Sequence, residues 1–183
     1  LYYFGHITWY KGADWLIKSY LEFAKQLPEE AKRINIQLGG GMSPTQRDNP
    51  SYIQYYNDLI ELAKSSENVE ITGYVEENDI EKLFANADFQ ILPYRALMSS
   101  SGPLSHAFEY EKPVFISNVI SPYLKTQDIK EAMSEFNIGE SDLVFNLENP
   151  TELFQKILRM SVDEKLRLSN FSKEIKDKRS WEN

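Results

Sequence analysis

One lysine, two histidines, a run of serines and several glycines fall in four short stretches, and each of these residue types bears on anion binding. "GHITWYKG" holds Gly5, His6, Lys11 and Gly12, and "INIQLGGG" ends on Gly39, Gly40 and Gly41. "GYVEEN" opens with Gly73, Tyr74 and Val75, and "SSSGPLSH" brings Ser100, Ser101, Gly102, Leu104 and His106. Glycine allows positive φ and close approach of backbone to a ligand. Lysine adds a full charge, and serine hydroxyls add donors. A helix beginning at Gly102 would aim free amide groups at whatever lies above it, with a dipole equivalent to roughly half a positive charge. The combination reads as a cradle for a diphosphate, with Ser100, Ser101 and Gly102 as contacts and Lys11 as counter-charge.

Each feature alone has a plainer reading. A serine before a helix is commonly an N-cap. Three glycines in a row suit a tight turn, and they lack the spacing of a dinucleotide-binding fingerprint. Lys11 fits a solvated lysine at a helix start, His6 and His106 fit satisfied structural histidines, and Tyr94 and Arg95 fit surface positions. What separates the two readings is whether one edge of the fold collects all four stretches.

That depends on the elements between them. Strand-like sequence covers 1–7, 34–41, 69–75, 89–94, 113–119 and "DLVFNLE" at 142–148. Apolar residues at helical spacing mark 12–27, with Leu16, Ile17, Tyr20 and Leu21, and 50–66, with Ile53, Tyr56, Leu59 and Ile60. Shorter helices are expected over Ile80–Ala87 and Gly102–Tyr110. Residues 121–139 read as irregular or partly helical. Asn149 is the expected N-cap and Pro150 the first residue of a further helix, and the tail from Val162 reads as an exposed charged helix ending on Trp181. Alternation of this kind predicts an α/β, Rossmann-like, six-stranded parallel sheet with helices on both faces. Such sheets bind ligands beyond the carboxyl ends of their strands, where the strand order reverses, and all four stretches follow strands.

The bulk properties agree with one globular domain over residues 1–183. Hydrophobic residues are 42% and charged residues 26%, and a chain of 183 residues can bury roughly two thirds of its unfolded surface. The net charge of −8 opposes extended contact with nucleic acid. With no cysteine, disulfides and thiolate metal sites are excluded. No run of 18 apolar residues and no leader-like segment is present. The opening "LYYFGHI", already strand-like, suggests a piece of a longer chain.

In succession, "FGHITWYKGADWLIKSY", "INIQLGGG", "NVEITGYVEENDIEKLFANADFQILPY", "SSGPLSHAFEYEKPVFISN" and "RSWEN" resemble the C-terminal, donor-binding domain of GT-B-fold glycosyltransferases, most like family 4. The resemblance implies a nucleotide-sugar-dependent transferase of glycan biosynthesis, metal-independent and without a cofactor, its donor a UDP- or GDP-sugar. It implies that Lys11 and His6 face the donor diphosphate, and that Gly5, Gly40, Tyr74, Val75, Ser100, Ser101, Gly102, Leu104 and His106 contact the donor. It further implies an N-terminal acceptor-binding domain in the same protein, without which this domain is inactive, and a cytoplasmic location with any membrane contact made through that other half.

The family pattern is broken at three donor positions. His6 stands where an arginine usually shares the diphosphate with the lysine, and an imidazole cannot offer the guanidinium fork. Met98 and His106 stand where two glutamates usually flank the donor, the second on the ribose hydroxyls. Both histidines of the chain thus fall on donor positions, so donor affinity is expected to rise as pH falls through roughly 6 to 7. A smaller departure is Glu111, where a glycine usually ends the helix. The alternative reading is a noncatalytic module of this fold, binding a glycan or a partner protein. A nicotinamide-binding domain is disfavoured because no Gly-x-Gly-x-x-Gly follows the first strand.

Overall fold

The computed structural model describes residues 1–180; Trp181, and with it the end of "RSWEN", lies outside the described residues. In chain order the elements are β1 (Tyr2–Phe4), a 3-10 turn (Trp9–Lys11), α1 (Ala13–Gln26), α2 (Pro28–Ala31), β2 (Ile36–Gly39), α3 (Pro50–Ala63) and β3 (Val69–Gly73). Then follow α4 (Glu77–Asn86), β4 (Gln90–Leu92), α5 (Gly102–Glu109), β5 (Val114–Ser117), a 3-10 segment (Asn118–Lys125), α6 (Gln127–Glu135), α7 (Glu140–Leu143), β6 (Val144–Phe145), α8 (Pro150–Arg159) and α9 (Val162–Arg179). The six strands form one parallel sheet in the order β3-β2-β1-β4-β5-β6. The chain steps outward from β1 to β3, then returns to lay β4 on the other side of β1. Tyr2 pairs with Gln90 across those two strands, and the strand order reverses between them, which is where a parallel sheet has its crevice at the carboxyl edge.

Helices cover both faces, so every residue of β4 and β5 is buried, including the polar Gln90 and Ser117, whose side chains donate to the Pro103 and Tyr94 carbonyls. On one face α1 lays down Leu16, Ile17, Tyr20 and Phe23 and packs against α2, α3 and α8. On the other, α9 packs against α5 and α6. Successive β1 side chains divide between the faces: Tyr2 meets Phe84 of α4 edge-on at 4.9 Å, whereas Tyr3 lies among the tyrosines Tyr55 and Tyr94 opposite.

Four expectations need correction. Asp142 and Leu143 end helix α7 rather than opening the last strand, which is only Val144–Phe145; the Asp142 carboxylate accepting from the Gly139 N–H at 2.9 Å, and the Asp142 N–H on the Gly139 carbonyl at 3.0 Å, favour the helical turn. Asn149 holds the N-cap position of α8 and Pro150 its first residue, as expected, but the Asn149 side chain does not cap the helix and instead donates to Glu152 at 2.9 Å. Helix α9 is not a solvated tail: Leu168, Phe171, Ser172 and Ile175 recur on one face and are buried, Phe171 meeting Phe108 edge-on at 6.2 Å. Truncating a buried phenylalanine of this kind costs about 3–5 kcal/mol. Tyr94 is buried, and Arg95 is tied into the interior of the loop region.

Two helix ends share one geometry with different residues. At α5 the Lys112 N–H reaches the Ala107 carbonyl (2.8 Å) and the Glu111 N–H reaches Phe108 (2.9 Å); at α6 the Ile138 N–H reaches Met133 (2.8 Å) and the Asn137 N–H reaches Ser134 (3.3 Å). Both are Schellman endings that need a left-handed residue, supplied by Glu111 at φ 54° and Asn137 at φ 49°. Asparagine tolerates that region and glutamate does so poorly. The left-handed conformation that a glycine would favour after α5 is therefore retained at Glu111.

Candidate functional site

Backbone contacts between strand extensions build the floor of the crevice. Past β1 and β2 the chains continue side by side, with the Gly5 N–H on the Gly39 carbonyl (2.9 Å) and the Ile7 N–H on the Gly41 carbonyl (3.0 Å). The glycine run is explained by closeness, not by a turn: a Cβ on Gly40 would lie 2.1 Å from the Gly5 carbonyl oxygen, and Gly40 is not in the left-handed region. From α3, the buried Tyr52 hydroxyl donates to the Ile7 carbonyl and accepts from the Ser43 N–H, each at 2.6 Å. That one side chain pins both loops to the helical layer.

Above this floor is a hollow of about 280 Å³. Its walls draw on all four sheet-edge stretches: Gly5, His6 and Lys11 after β1, Gly39 to Gly41 at the end of β2 and just past it, Tyr74 and Val75 after β3, and Gly102, Pro103 and His106 on α5. Phe4 and Ile80 complete it with apolar surface that composition and spacing did not single out. Of the residues singled out from sequence, Gly5, His6, Lys11, Gly40, Tyr74, Val75, Gly102 and His106 line this space. Ser100, Ser101 and Leu104 do not.

The reason lies in how α5 begins. The Ser101 hydroxyl accepts from the Leu104 N–H at 3.2 Å, an N-cap, and itself reaches Tyr94 at 3.4 Å. Pro103 has no N–H, and Ser105 donates to the Ser101 carbonyl. Among the described residues only the Gly102 N–H of that first turn meets no acceptor. The side chain of Leu104 is buried in the core, and Ser100 stands exposed in the loop.

Lys11 reaches the hollow from the 3-10 turn. Its ammonium lies 3.0 Å from where a Cβ on Gly5 would be, with Pro103 on the same side at 3.2 Å. Among the described residues it has neither a carboxylate nor a hydrogen-bond acceptor, and burial lowers its affinity for a proton below the ordinary lysine value. His6 is lowered too, by burial first and by the Lys11 charge second. Its ring lies nearly parallel to that of the exposed Tyr74, centroids 6.4 Å apart at 26°, and the two form one rim. His106 stands edge-on to Phe4 at 5.2 Å; burial lowers its basicity and the Glu109 charge partly restores it.

Behind the rim is a cluster that linear sequence did not reveal. Arg95, just past β4, forks onto Asp14 of α1 with bonds of 2.8 and 2.9 Å, and the Tyr55 hydroxyl donates to the same carboxylate at 3.0 Å. The partners are 81 residues apart in sequence. A basic residue after a strand and an acidic one in the first turn of a helix were the sole signals, and neither identifies the other.

A family model described as glycosyl transferases group 1 matches residues 1–163. No curated protein matches the chain. Among solved structures, the trehalose-6-phosphate synthase OtsA superposes with a TM-score of 0.70 at 13% identity, covering 97% of this chain and 40% of that one. A UDP-forming α,α-trehalose-phosphate synthase from Burkholderia xenovorans gives 0.70 at 10% identity, with 96% and 39% covered. The C-terminal domain of the group 1 glycosyl transferase family protein LpcC from Francisella tularensis gives 0.65 at 13%, with 97% and 84% covered. At such identities the likeness is one of fold. The chain spans about 40% of the length of the synthases it matches.

Proposed function

Because the chain belongs to the group 1 glycosyltransferases, we propose that it is the donor-binding part of such an enzyme, most like family 4, and that the hollow at the β1/β4 switch holds a nucleotide-diphosphate sugar. One observation carries this reading: the Lys11 ammonium stands without an acidic partner among the described residues, beside glycine backbone and the start of α5. A cation that is partly buried and left unpaired is costly, the more so the drier it is, unless an anion completes it. A diphosphate is the anion whose charge and reach suit that position.

Glycosyl transfer breaks the bond between the anomeric carbon and the diphosphate, and negative charge grows on the leaving oxygen. Lys11 and the Gly102 N–H are fixed donors for that charge, set in a partly desolvated crevice where they need little reorganisation. No metal is needed in this account, since the lysine and amide supply the neutralisation. The base stacks against Tyr74 beside Val75, and His106 faces the ribose or sugar as a neutral hydrogen-bonding partner. A volume of about 280 Å³ falls just short of the roughly 300–1,000 Å³ range of ligand pockets, which suits one wall of a site closed by a second, acceptor-binding domain. A UDP-sugar is the first candidate donor, since a relative of the same fold is described as UDP-forming. No helix among the described residues is long and apolar enough to cross a membrane; the proposed setting is the cytoplasm.

Calorimetric titration with UDP, GDP, ADP and their sugars tests the reading. Saturable binding of at least one of them below millimolar concentration is expected, without turnover by this chain alone. Absence of binding by every one at millimolar concentration would sink it and leave the noncatalytic module in its place.

A further inference from the structure

We propose that Arg95 is a positioning residue for Lys11, holding the turn that carries the lysine, with Asp14 as its anchor. This rests on the reading that Lys11 holds the diphosphate. The turn Trp9–Lys11 is short, and its own bonds are only two: the Lys11 N–H to the Thr8 carbonyl (3.1 Å) and the Gly12 N–H to the Trp9 carbonyl (3.2 Å). Arg95 supplies the rest. Its backbone N–H donates to the Tyr10 carbonyl at 2.7 Å, its Nη1 to the Trp9 carbonyl at 3.0 Å, and its guanidinium carbon sits 5.5 Å from the centre of the Trp9 ring.

One residue from the β4 exit thus grips both carbonyls preceding the lysine. It is in turn held by the two-bond fork to Asp14, on the other side of the turn, so the segment 9–14 is clasped from both ends. Side-chain exposures of 22% for Arg95 and 14% for Asp14 put the fork largely out of water, where its geometry resists competition from solvent. Burial alone would raise the Asp14 carboxyl, but the Arg95 and Tyr55 hydrogen bonds hold it below the usual carboxylate range, so it stays ionised at neutral pH. Gly12 closes the clasp from beneath: at φ +73° it lies against the chain just past β4, and a Cβ there would meet the Pro93 carbonyl oxygen at 2.0 Å. Arg95 is not among the residues lining the hollow, so it acts on a bound anion through the lysine's position.

A lysine in place of Arg95 keeps the charge but loses the fork and the reach to Trp9. The probe is inorganic pyrophosphate, titrated into wild type, Arg95→Lys, Lys11→Ala and the double variant at pH 7.5. Coupled neighbours should show it: Arg95→Lys weakens pyrophosphate about fivefold when Lys11 is present and less than about twofold when Lys11 is alanine. Asp14→Asn, which keeps the shape and removes the anchor's charge, should follow Arg95→Lys. A second readout needs no ligand: in reductively methylated protein, the Lys11 dimethylamine carbon resonance should titrate below the ordinary lysine range, and Arg95→Lys should return it toward that range. An equal loss of affinity in both backgrounds, or a Lys11 titration unmoved by Arg95→Lys, would overturn the positioning role alone. Pyrophosphate affinity unaffected by Lys11→Ala would overturn the diphosphate reading and the positioning role with it.

Discussion

The two edges of the sheet differ in what their hollows hold. Where the strands begin, a space of about 580 Å³ is lined by Leu1, Arg33, Glu67, Glu70, Asp88 and Lys165 among others. It is the larger of the two, and its lysine is paired: Lys165 meets Asp88, while the Glu70 carboxylate accepts from the Gln37 amide at 2.9 Å. Where the strands finish, the hollow is about half that volume, and its lysine has no acidic partner among the described residues. The difference is one of lysines: the one at the first edge has an acidic partner and the partly buried one at the second has none, and that, rather than size, is the reason for proposing the smaller hollow as the site. It also follows from strand polarity, because ligands to parallel sheets bind past the carboxyl ends.

Exchanging charge at the two edges should give the largest contrast. Lys11→Ala is expected to weaken nucleoside-diphosphate binding by about 30-fold, the order of a lost charge-assisted hydrogen bond, and Lys165→Ala should leave it unchanged. Equal effects in calorimetry would erase the distinction. Next in size is the backbone floor. Gly40→Ala forces a methyl into the Gly5 carbonyl and should cost about 1–3 kcal/mol in urea unfolding, along with anion affinity.

Acid sharpens the comparison further. His6 and His106 both titrate below the usual histidine value of about 6.5, so the folded chain takes up fewer protons than the unfolded one as pH falls through that region. Stability without ligand should therefore decline on acidification, whereas diphosphate affinity should climb by roughly fivefold once an imidazolium forms beside the anion. The climb belongs below the ordinary histidine range, lower than the window that composition alone suggests. An affinity flat down to pH 5 would remove His6 from the anion's surroundings. Smallest is Glu111→Gly. Relief of the left-handed glutamate should add up to about 1 kcal/mol, less whatever its partly exposed pairing with Lys176 contributes, and thermal melts would register it.

Much of this architecture was legible because it is carried by local signals. Alternating apolar runs and punctuating glycines gave the six strands and their order in the chain, and the four sheet-edge stretches gave most of the hollow's lining. Periodicity also marked the buried face of α9, at Leu168, Phe171 and Ile175, but the density of charge around it obscured the stripe. Other features are properties of the folded chain alone. The serine N-cap before a helix at Gly102 was within reach of sequence, and Ser101 makes it, but that Gly40 is needed for Gly5 depends on a contact between strands. Arg95 and Asp14 meet only because β4 returns beside β1.

The sparse donor supply at the head of α5 has a mechanical consequence. With Pro103 silent and Leu104 already engaged by Ser101, the helix offers a guest a single point of attachment, and a body held at one point is free to swivel. Whatever fixes its heading must come from a second grip at a distance, and on the function proposed above that makes the spacing between Gly102 and Lys11 the ruler against which candidate guests are measured.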